Sequence, residues 1–331
     1  MAAVTTLDTL ACLTHAPRSR HQRRGYILVV TLGVLVLAAT LLVGIGRSSM
    51  RHAVDARAAR DDLQRRWGEV SCRQAILPIA EQLLDAREQR DGKATPVLTT
   101  TLRLGGQTFE LTIADEQAKA DINAMLAEVE VQTVESRVRR ALSGYGLADK
   151  VRLRPEVGTM VPGAAAAATT PPPIGSYGQV FDGISPDRWL RPPAGGGPAV
   201  ADLMTCWGGG RINIRRASEP ALRLAASPPL TTLEISRLIE LRDKIFHGDG
   251  RSVSLMRSAA TPPSAGRSPI RRLIDSAGLA QSSARIVSGF ADGSTRHSIR
   301  ILAGTGGRRW LSFAVLDTSD IQSPKWHVQS W

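Results

Sequence analysis

The stretch RRGYILVVTLGVLVLAATLLVGIGR, Arg23 to Arg47, decides how the rest of the chain is read. From Tyr26 to Gly46 it holds 21 residues and no charge. At about 1.5 Å rise per residue, a helix of that length covers roughly 30 Å, the hydrocarbon thickness of a bilayer. Arginines flank both ends. Arg18, Arg20, Arg23 and Arg24 lie in the short tail before the run. The positive-inside rule therefore places that tail in the cytoplasm and the bulk of the chain across the membrane. The one conspicuous small residue at a boundary, Gly25, precedes the run rather than following it.

Three readings of this stretch compete. A cleaved secretory signal would need a small-residue cleavage site after the run, and GIGRSSMRHAV offers no clear A-x-A end. A plain signal anchor would keep the whole stretch. In the third reading Arg23 and Arg24 are the basic residues of a leader that ends at Gly25. RRG|YILVV resembles a prepilin leader, which a peptidase cuts on the cytoplasmic side, here between Gly25 and Tyr26. The apolar helix then stays on the mature protein, with Tyr26 as its new terminus.

Beyond the run the sequence stays helix-like to about Gln89. Trp67, Val70, Ile76, Ile79, Ala80, Leu83 and Leu84 recur at spacings near three and four, an amphipathic stripe that Pro78 should kink or restart. Two strands follow, PVLTTTLRL and QTFELTIA, joined by Gly105-Gly106, a two-residue hairpin signal. Phe109, Leu111 and Ile113 alternate with Glu110 and Thr112, which predicts one buried and one wet sheet face. The C-terminus reads as a meander: ARIVSGF, RHSIRILA and RRWLSFAVLD, with Asp292-Gly293 and Gly306-Gly307 at the turns. Ile299 and Ile301 there alternate with Ser298 and Arg300. Strands near residues 97–113 and 284–317 are expected to share one sheet, which makes the material between them an insertion.

The insertion holds two echoes, DEQAKADINAMLAEV and GGGRINIRRASEPALRLAASPPLTTLEISRLIELRD. Each puts an Ile-Asn pair near a helix start, where Asn, Asp and Ser side chains accept from free backbone N–H groups. Ser218 should cap a short helix through Ala226, with Pro220 in its first turn. Thr231-x-x-Glu234 forms a capping box for a second helix carrying Ile235, Leu238, Ile239 and Ile245 on one side. Leu230 and Ile235 stand at the positions of a hydrophobic staple. The result is a helix-hairpin-helix shape. Such hairpins bind DNA through glycine-bearing turns whose N–H groups meet a phosphate. SPPLTT has no glycine and two prolines that remove donors, so a structural role is expected and a nucleic-acid partner is not. Between Arg154 and Asp202, and again in AATPPSAGRSP, Pro, Gly and Ala predict loose loops rather than core.

Taken in order, these features resemble the general secretion pathway protein K family, the minor pseudopilins of type II secretion, over most of residues 20–317. DEQAKADIN matches a family segment that usually reads Asp-Glu-x-Gly with Asn following, and Ala118 replaces the Gly. GRINIRRAS matches a segment with two asparagines and a threonine; Asn213 keeps the first, and Arg215 and Arg216 replace the others. Pilin-like chains usually begin with Phe or Met and carry Glu at the fifth mature position. Here Tyr26 and Val30 stand there. The family characteristically lacks that Glu, whose partner is the terminal amine of a neighbouring subunit, so its absence suits a subunit at a fibre tip.

The resemblance implies an α+β fold: a pilin-like N-terminal transmembrane helix packed on an antiparallel sheet, with a large, mostly α-helical, helix-hairpin-helix-like domain inserted. The expected domains are a leader at 1–25, a transmembrane helix at 26–46 and a periplasmic helix at 47–90. The first part of the sheet is expected at 91–120, the inserted domain at 121–282 with a loose loop at 155–201, the second part of the sheet at 283–318 and a tail at 319–331. The resemblance further implies N-methylation of Tyr26 and a single-pass inner-membrane location with the bulk in the periplasm. The implied partners are other minor pseudopilins, prepilin peptidase, secreted cargo and inner-membrane lipid. Other readings of the residues are a minor type IV pilin that takes up DNA and an unprocessed, signal-anchored periplasmic protein.

The formal charge is +12, of which the first 25 residues supply +3, from four arginines against Asp8. The remaining arginines scatter, as on a solvated surface; beside the anchor they could also meet anionic headgroups. Of three cysteines, Cys72 and Cys206 could bridge in an oxidising compartment or stay as thiols. No histidine pair has H-x-x-x-H spacing, and no G-x-S-x-G, P-loop or paired-cysteine motif occurs. A non-enzyme without a cofactor is therefore expected. Some family members bind calcium in the helical domain, but HGDGR, His247 to Arg251, holds one Asp, far short of a calcium loop's ligand set. No metal is assigned.

Overall fold

The computed structural model describes residues 20–155, 173–190, 192–193, 196–226, 230–246, 273–274, 289–305, 308–320 and 322–330. Several expectations lie outside them: the leader before Arg20, the Pro228-Pro229 turn, HGDGR, AATPPSAGRSP, most of ARIVSGF and the Gly306-Gly307 turn. The chain divides into two compact units, Met1–Leu63 and Gln64–Trp331.

One helix, α1 (Arg20–Ile76), runs through the apolar stretch without a break and continues into the second unit. It ends where Pro78 stands. That ring cannot sit in a helix interior, and Leu77–Ile79 form a 3₁₀ turn instead. The chain restarts as α2 (Ala80–Asp91), which stops at Gly92 in the left-handed region, φ 63°.

The core of the second unit is a five-stranded antiparallel sheet in the order β1-β2-β7-β8-β9. Strands β1 (Val97–Leu104) and β2 (Gln107–Asp115) form the expected hairpin, with Leu104 paired to Gln107. Gly105 and Gly106 both have positive φ, 57° and 85°, as a two-residue turn of this hand requires. Strands β7 (Arg296–Thr305) and β8 (Arg308–Asp317) form the expected meander. The sequence reading did not anticipate β9 (Lys325–Ser330), which pairs with β8 and makes the tail an edge strand.

The first face of the sheet meets the end of α1 and the turn after it. Cys72, Leu77 and Ala80 pack with Phe109, Leu111, Ile113, Ile299, Ile301, Ala303, Ala314 and Leu316. Gly68 makes this approach close: a Cβ there would collide with the Phe109 ring. The prediction of a single wet face needs correction. Ser298, Arg300, Phe313 and Val315, on the other face, are buried as well. The cause is the segment inserted between β2 and β7, which covers the second face. Arg300 Nη2 donates to Asp202 Oδ1 at 2.5 Å, and Phe313 and Val315 enter the insertion's core.

The described part of that insertion begins with β3 (Ala120–Asp121), α3 (Ile122–Glu128) and α4 (Val131–Ala141). It continues with α5 (Pro186–Leu190), α6 (Val200–Leu203), β4 (Met204–Thr205) and β5 (Ile212–Asn213). It then adds α7 (Glu219–Ala225), α8 (Thr232–Phe246) and β6 (Phe290–Ala291). The two-residue strands pair in parallel, β3 with β4 and β5 with β6. Phe290, expected in the main sheet, therefore belongs to a separate ribbon.

Of the loose loop expected at 155–201, residues 156–172, 191 and 194–195 lie outside the described residues, and the part from Ile174 to Val200 is corrected. Ile174, Tyr177, Val180, Phe181, Trp189 and Val200 are buried in the largest core cluster. Tyr177 packs tilted against Trp189, with ring centroids 4.6 Å apart. Pro and Gly dominate the average composition of this stretch, but the few large side chains among them decide its packing, because aromatic burial outweighs local chain preference. The two cysteines occupy separate clusters as free thiols, so no Cys72–Cys206 bridge forms.

Candidate functional site

The apolar part of α1 is helical throughout, and from Gly25 onward it is exposed all round. It is long and apolar enough to cross a membrane, with mean hydropathy 2.8 and none of its apolar window buried. A helix that is apolar on every face has no solvated side to present to water. Such a helix fits a single-pass membrane anchor. Gly25 and Tyr26 lie within this helix, both exposed, and the backbone at Arg23 and Arg24 is helical too. Val30 is exposed on this helix, and no acidic residue occurs between Tyr26 and Gly46.

A second feature was not foreseen. Three carboxylates of α2, Glu81, Asp85 and Glu88, stand at i, i+4 and i+7, so they line one helix face. Arg216, fully buried, reaches all three. Its Nη1 meets Glu81 Oε2 at 2.5 Å, Nη2 meets Asp85 Oδ1 at 2.7 Å, and Nε meets Glu88 Oε1 at 2.8 Å. Asp115, at the end of β2, is the fourth acid, 3.4 Å from Nη1. Arg215 adds bonds to Asp85 and Glu88 at 2.6 and 2.5 Å. His297, at the start of β7, lies 2.8 Å from Glu81 Oε2 through its Nε2. Burial alone would raise the Glu81 carboxyl. The His297 hydrogen bond and the Arg216 charge outweigh it and hold Glu81 at about 2. Burial likewise works against the Arg216 charge, and Glu88, Glu81 and Asp115 together push its pKa above the ordinary guanidinium value.

This network explains both sequence echoes. Asp115 caps the turn Glu116–Ala118 through the N–H groups of Gln117 and Ala118, and its other oxygen accepts from Asn213 Nδ2 at 2.8 Å. Asp121 caps α3 through Asn123 N and also accepts from Gly210 N at 2.8 Å. Glu116 pairs with Lys119 in the interior and accepts from Thr205 Oγ1. Gln117 Oε1 accepts from Thr295 N at 2.7 Å. DEQAKAD is thus the seam where the chain leaves the sheet and meets the segment that returns to it. The capping expectation holds at Ser218, and in the first echo the cap is the Asp before the Ile-Asn pair. Asp121 and Ser218 are the caps, whereas Asn123 ties Ile174 and Cys206 backbones together and Asn213 bonds Asp115. The signal that could have found the network is the acidic stripe on α2 together with the adjacent arginines of INIRR.

The hairpin region follows its sequence closely. Thr231 N donates to Glu234 Oε2 and Glu234 N to Thr231 Oγ1, the two bonds of a capping box. Ile235 and Leu238 are buried with Leu222 and Ile214, and Leu230 packs against them. The turn between α7 and α8 lies outside the described residues.

Among the described residues, Glu81, Asp115 and His297 are the group whose ligand atoms lie within 4.8 Å of one another. Arg216 Nη1 is bonded to both acids there, so a guanidinium already supplies the cation. A histidine and a guanidinium do not fit calcium's all-oxygen ligand set. A recess of about 270 Å³ gathers Asn123, Cys206, Asp317 and His327. Burial pushes the Cys206 thiol well up, which disfavours the thiolate a nucleophile needs.

No family model matches the chain, and no curated protein matches it. A chain in the crystal structure of the GspK-GspI-GspJ complex from the type 2 secretion system of enterotoxigenic Escherichia coli is similar to it. The TM-score is 0.42 at 12% identity, over 83% of this chain and 99% of that chain.

Proposed function

We propose that the chain is a minor pseudopilin of a type II protein secretion system that caps the tip of the pseudopilus in the periplasm. The observation that carries this reading is one unbroken helix with two different surfaces. Over Tyr26–Gly46 it is apolar and exposed on every side, and from Gly68 to Ile76 it buries one face on an antiparallel sheet. A secretory signal has no reason to continue as helix into the core of the protein it delivers. An element that is both anchor and core is one that must stay after processing.

In this reading the peptidase cuts between Gly25 and Tyr26, the new amine at Tyr26 is N-methylated, and the helix holds the subunit in the inner membrane. The N-terminus faces the cytoplasm and the bulk the periplasm. The helix then moves into a bundle with the helices of other minor pseudopilins. Val30 leaves this subunit unable to neutralise the amine of a subunit above it, which suits a terminal position. The head, widened by the insertion, would meet secreted cargo. It acts by binding and position, not by covalent chemistry.

The test is N-terminal sequencing of the chain after co-expression with a prepilin peptidase. A mature terminus at Tyr26 is expected. A Met1 terminus, or one beyond Gly46, would overturn the reading.

A further inference from the structure

The apolar run ends at Gly46, and the same helix continues as RSSMRHAVDARAAR, Arg47 to Arg60. That segment holds four arginines against Asp55, a net charge of +3 with His52 neutral. Further along the charges balance, Asp61 and Asp62 against Arg65 and Arg66. Every residue from Arg47 to Arg60 is exposed. Arg47, Arg51, Arg57 and Arg60 have no ion-pair partner among the described residues. The first arginine beyond the run to form an ion pair is Arg65, 2.6 Å from Glu69. Arg47 and Arg51, four apart, are like charges on one helix face, an arrangement a helix disfavours unless an anion lies beside it. Membrane orientation does not account for them either. The leader's arginines set the bias, and arginines beyond the span oppose it.

We propose that this collar binds the anionic headgroups of phospholipids in the leaflet where the span ends, opposite the leader. The proposal rests on the membrane reading above. Measured along the helix, Arg47 lies about 2 Å and Arg51 about 8 Å past Gly46, at or within a headgroup layer roughly 5–8 Å thick. Arg57 and Arg60 lie about 17 and 21 Å past it, one to two Debye lengths above the layer. A guanidinium grips a phosphate through two parallel hydrogen bonds, and its stem can bend back toward the layer. Contact is therefore graded, strong at Arg47 and Arg51 and weak at Arg57 and Arg60. The collar gives the anchor a second hold on the bilayer, one that must be released when the helix leaves lipid for a bundle.

The test uses the full-length chain in phosphatidylcholine bilayers containing a trace of spin-labelled phosphatidylglycerol or spin-labelled phosphatidylcholine. The motionally restricted fraction of each label reports its association with the protein. Wild type should prefer phosphatidylglycerol, by about fivefold for each arginine in the layer, and the preference should fall as salt rises. Arg47→Gln/Arg51→Gln should lose most of the preference and Arg57→Gln/Arg60→Gln less than half. All three chains carry the same leader, so its arginines cancel in the comparison. Equal preference in Arg47→Gln/Arg51→Gln and wild type would overturn the proposal, as would an equal loss in both double variants. An unchanged lipid preference with weakened chain-to-chain cross-linking would assign the collar to protein acids instead. A chain washed off the vesicles by alkaline carbonate would overturn the membrane reading itself, and the collar with it.

Discussion

The apolar half of α1 and the seam around Arg216 are opposite solutions to one problem, where to put groups that water does not suit. The helix carries its apolar side chains on the outside and has no internal partner for them. The seam carries charge on the inside and supplies every partner itself. The first region is incomplete until something surrounds it. The second is complete only if every member is present. A buried guanidinium among four carboxylates is not a strong source of net stability, because desolvation offsets most of the Coulomb gain. Its value is in fixing how three distant segments meet: α2, the end of β2 and the return through INIRR.

The sharpest way to break the comparison is to remove the one cation the seam cannot replace. Arg216→Met strips the guanidinium shared by four carboxylates, leaving Arg215 on Asp85 and Glu88, His297 on Glu81 and the Asn213 amide on Asp115. We expect a loss of about 3–5 kcal/mol in the stability of the Gln64–Trp331 unit, read as a shift in denaturant midpoint by the fluorescence of buried Trp189 and Trp207. Adding Glu88→Gln should restore part of that loss, since it removes one stranded charge. A double variant no better than Arg216→Met would mean that shape, not charge, holds the seam.

The matching experiment on the helix inserts a charge where none exists. Leu35→Arg, near the middle of the run, should cost membrane insertion about 2.5–3.5 kcal/mol, seen as a fall in the carbonate-resistant fraction. The same change should leave the denaturant midpoint of the head unmoved, because Leu35 is exposed in the other unit. A head destabilised by Leu35→Arg would show that the two regions are not separable.

A third change probes where one helix serves both solutions. Gly68→Ala places a methyl group against the Phe109 ring and should destabilise the head by about 1–3 kcal/mol through overpacking. Phe109→Leu in the Gly68→Ala background should recover part of it by making room.

These regions also differ in how far the sequence discloses them. The apolar run, the Gly105-Gly106 hairpin and the Thr231–Glu234 box are local patterns, each written within a few residues, and each is present. The seam is written in pieces far apart. Glu81 and Arg216 are 135 positions from one another, and nothing near either says that they meet. The burial of Arg300 was hidden for the same reason. Alternation along β7 marks it as a wet-face residue, and only Asp202, from an element inserted far upstream, makes it an interior one. Strand β9 was missed because it is short, lies at an edge and keeps Trp326 and Val328 exposed.

The smallest effect expected is the one that titrates. Glu81 is the seam's most accessible acid, its side chain about a third exposed, and it is held at about 2 against an ordinary value of 4.5. A carboxyl whose folded value is depressed contributes stability that is fully present above the unfolded value. That contribution fades as pH falls from about 4.5 to about 2. Wild type should therefore be more stable than Glu81→Gln near neutral pH, by a margin well below that of Arg216→Met. The two chains should converge as the solution is acidified through this window. Asp317, also depressed, titrates equally in both chains and cancels from the difference. A gap between the two chains that stayed constant from neutral pH down to about 2 would show that Glu81 acts by shape rather than by charge, and that Arg216 is held by the three deeper carboxylates alone.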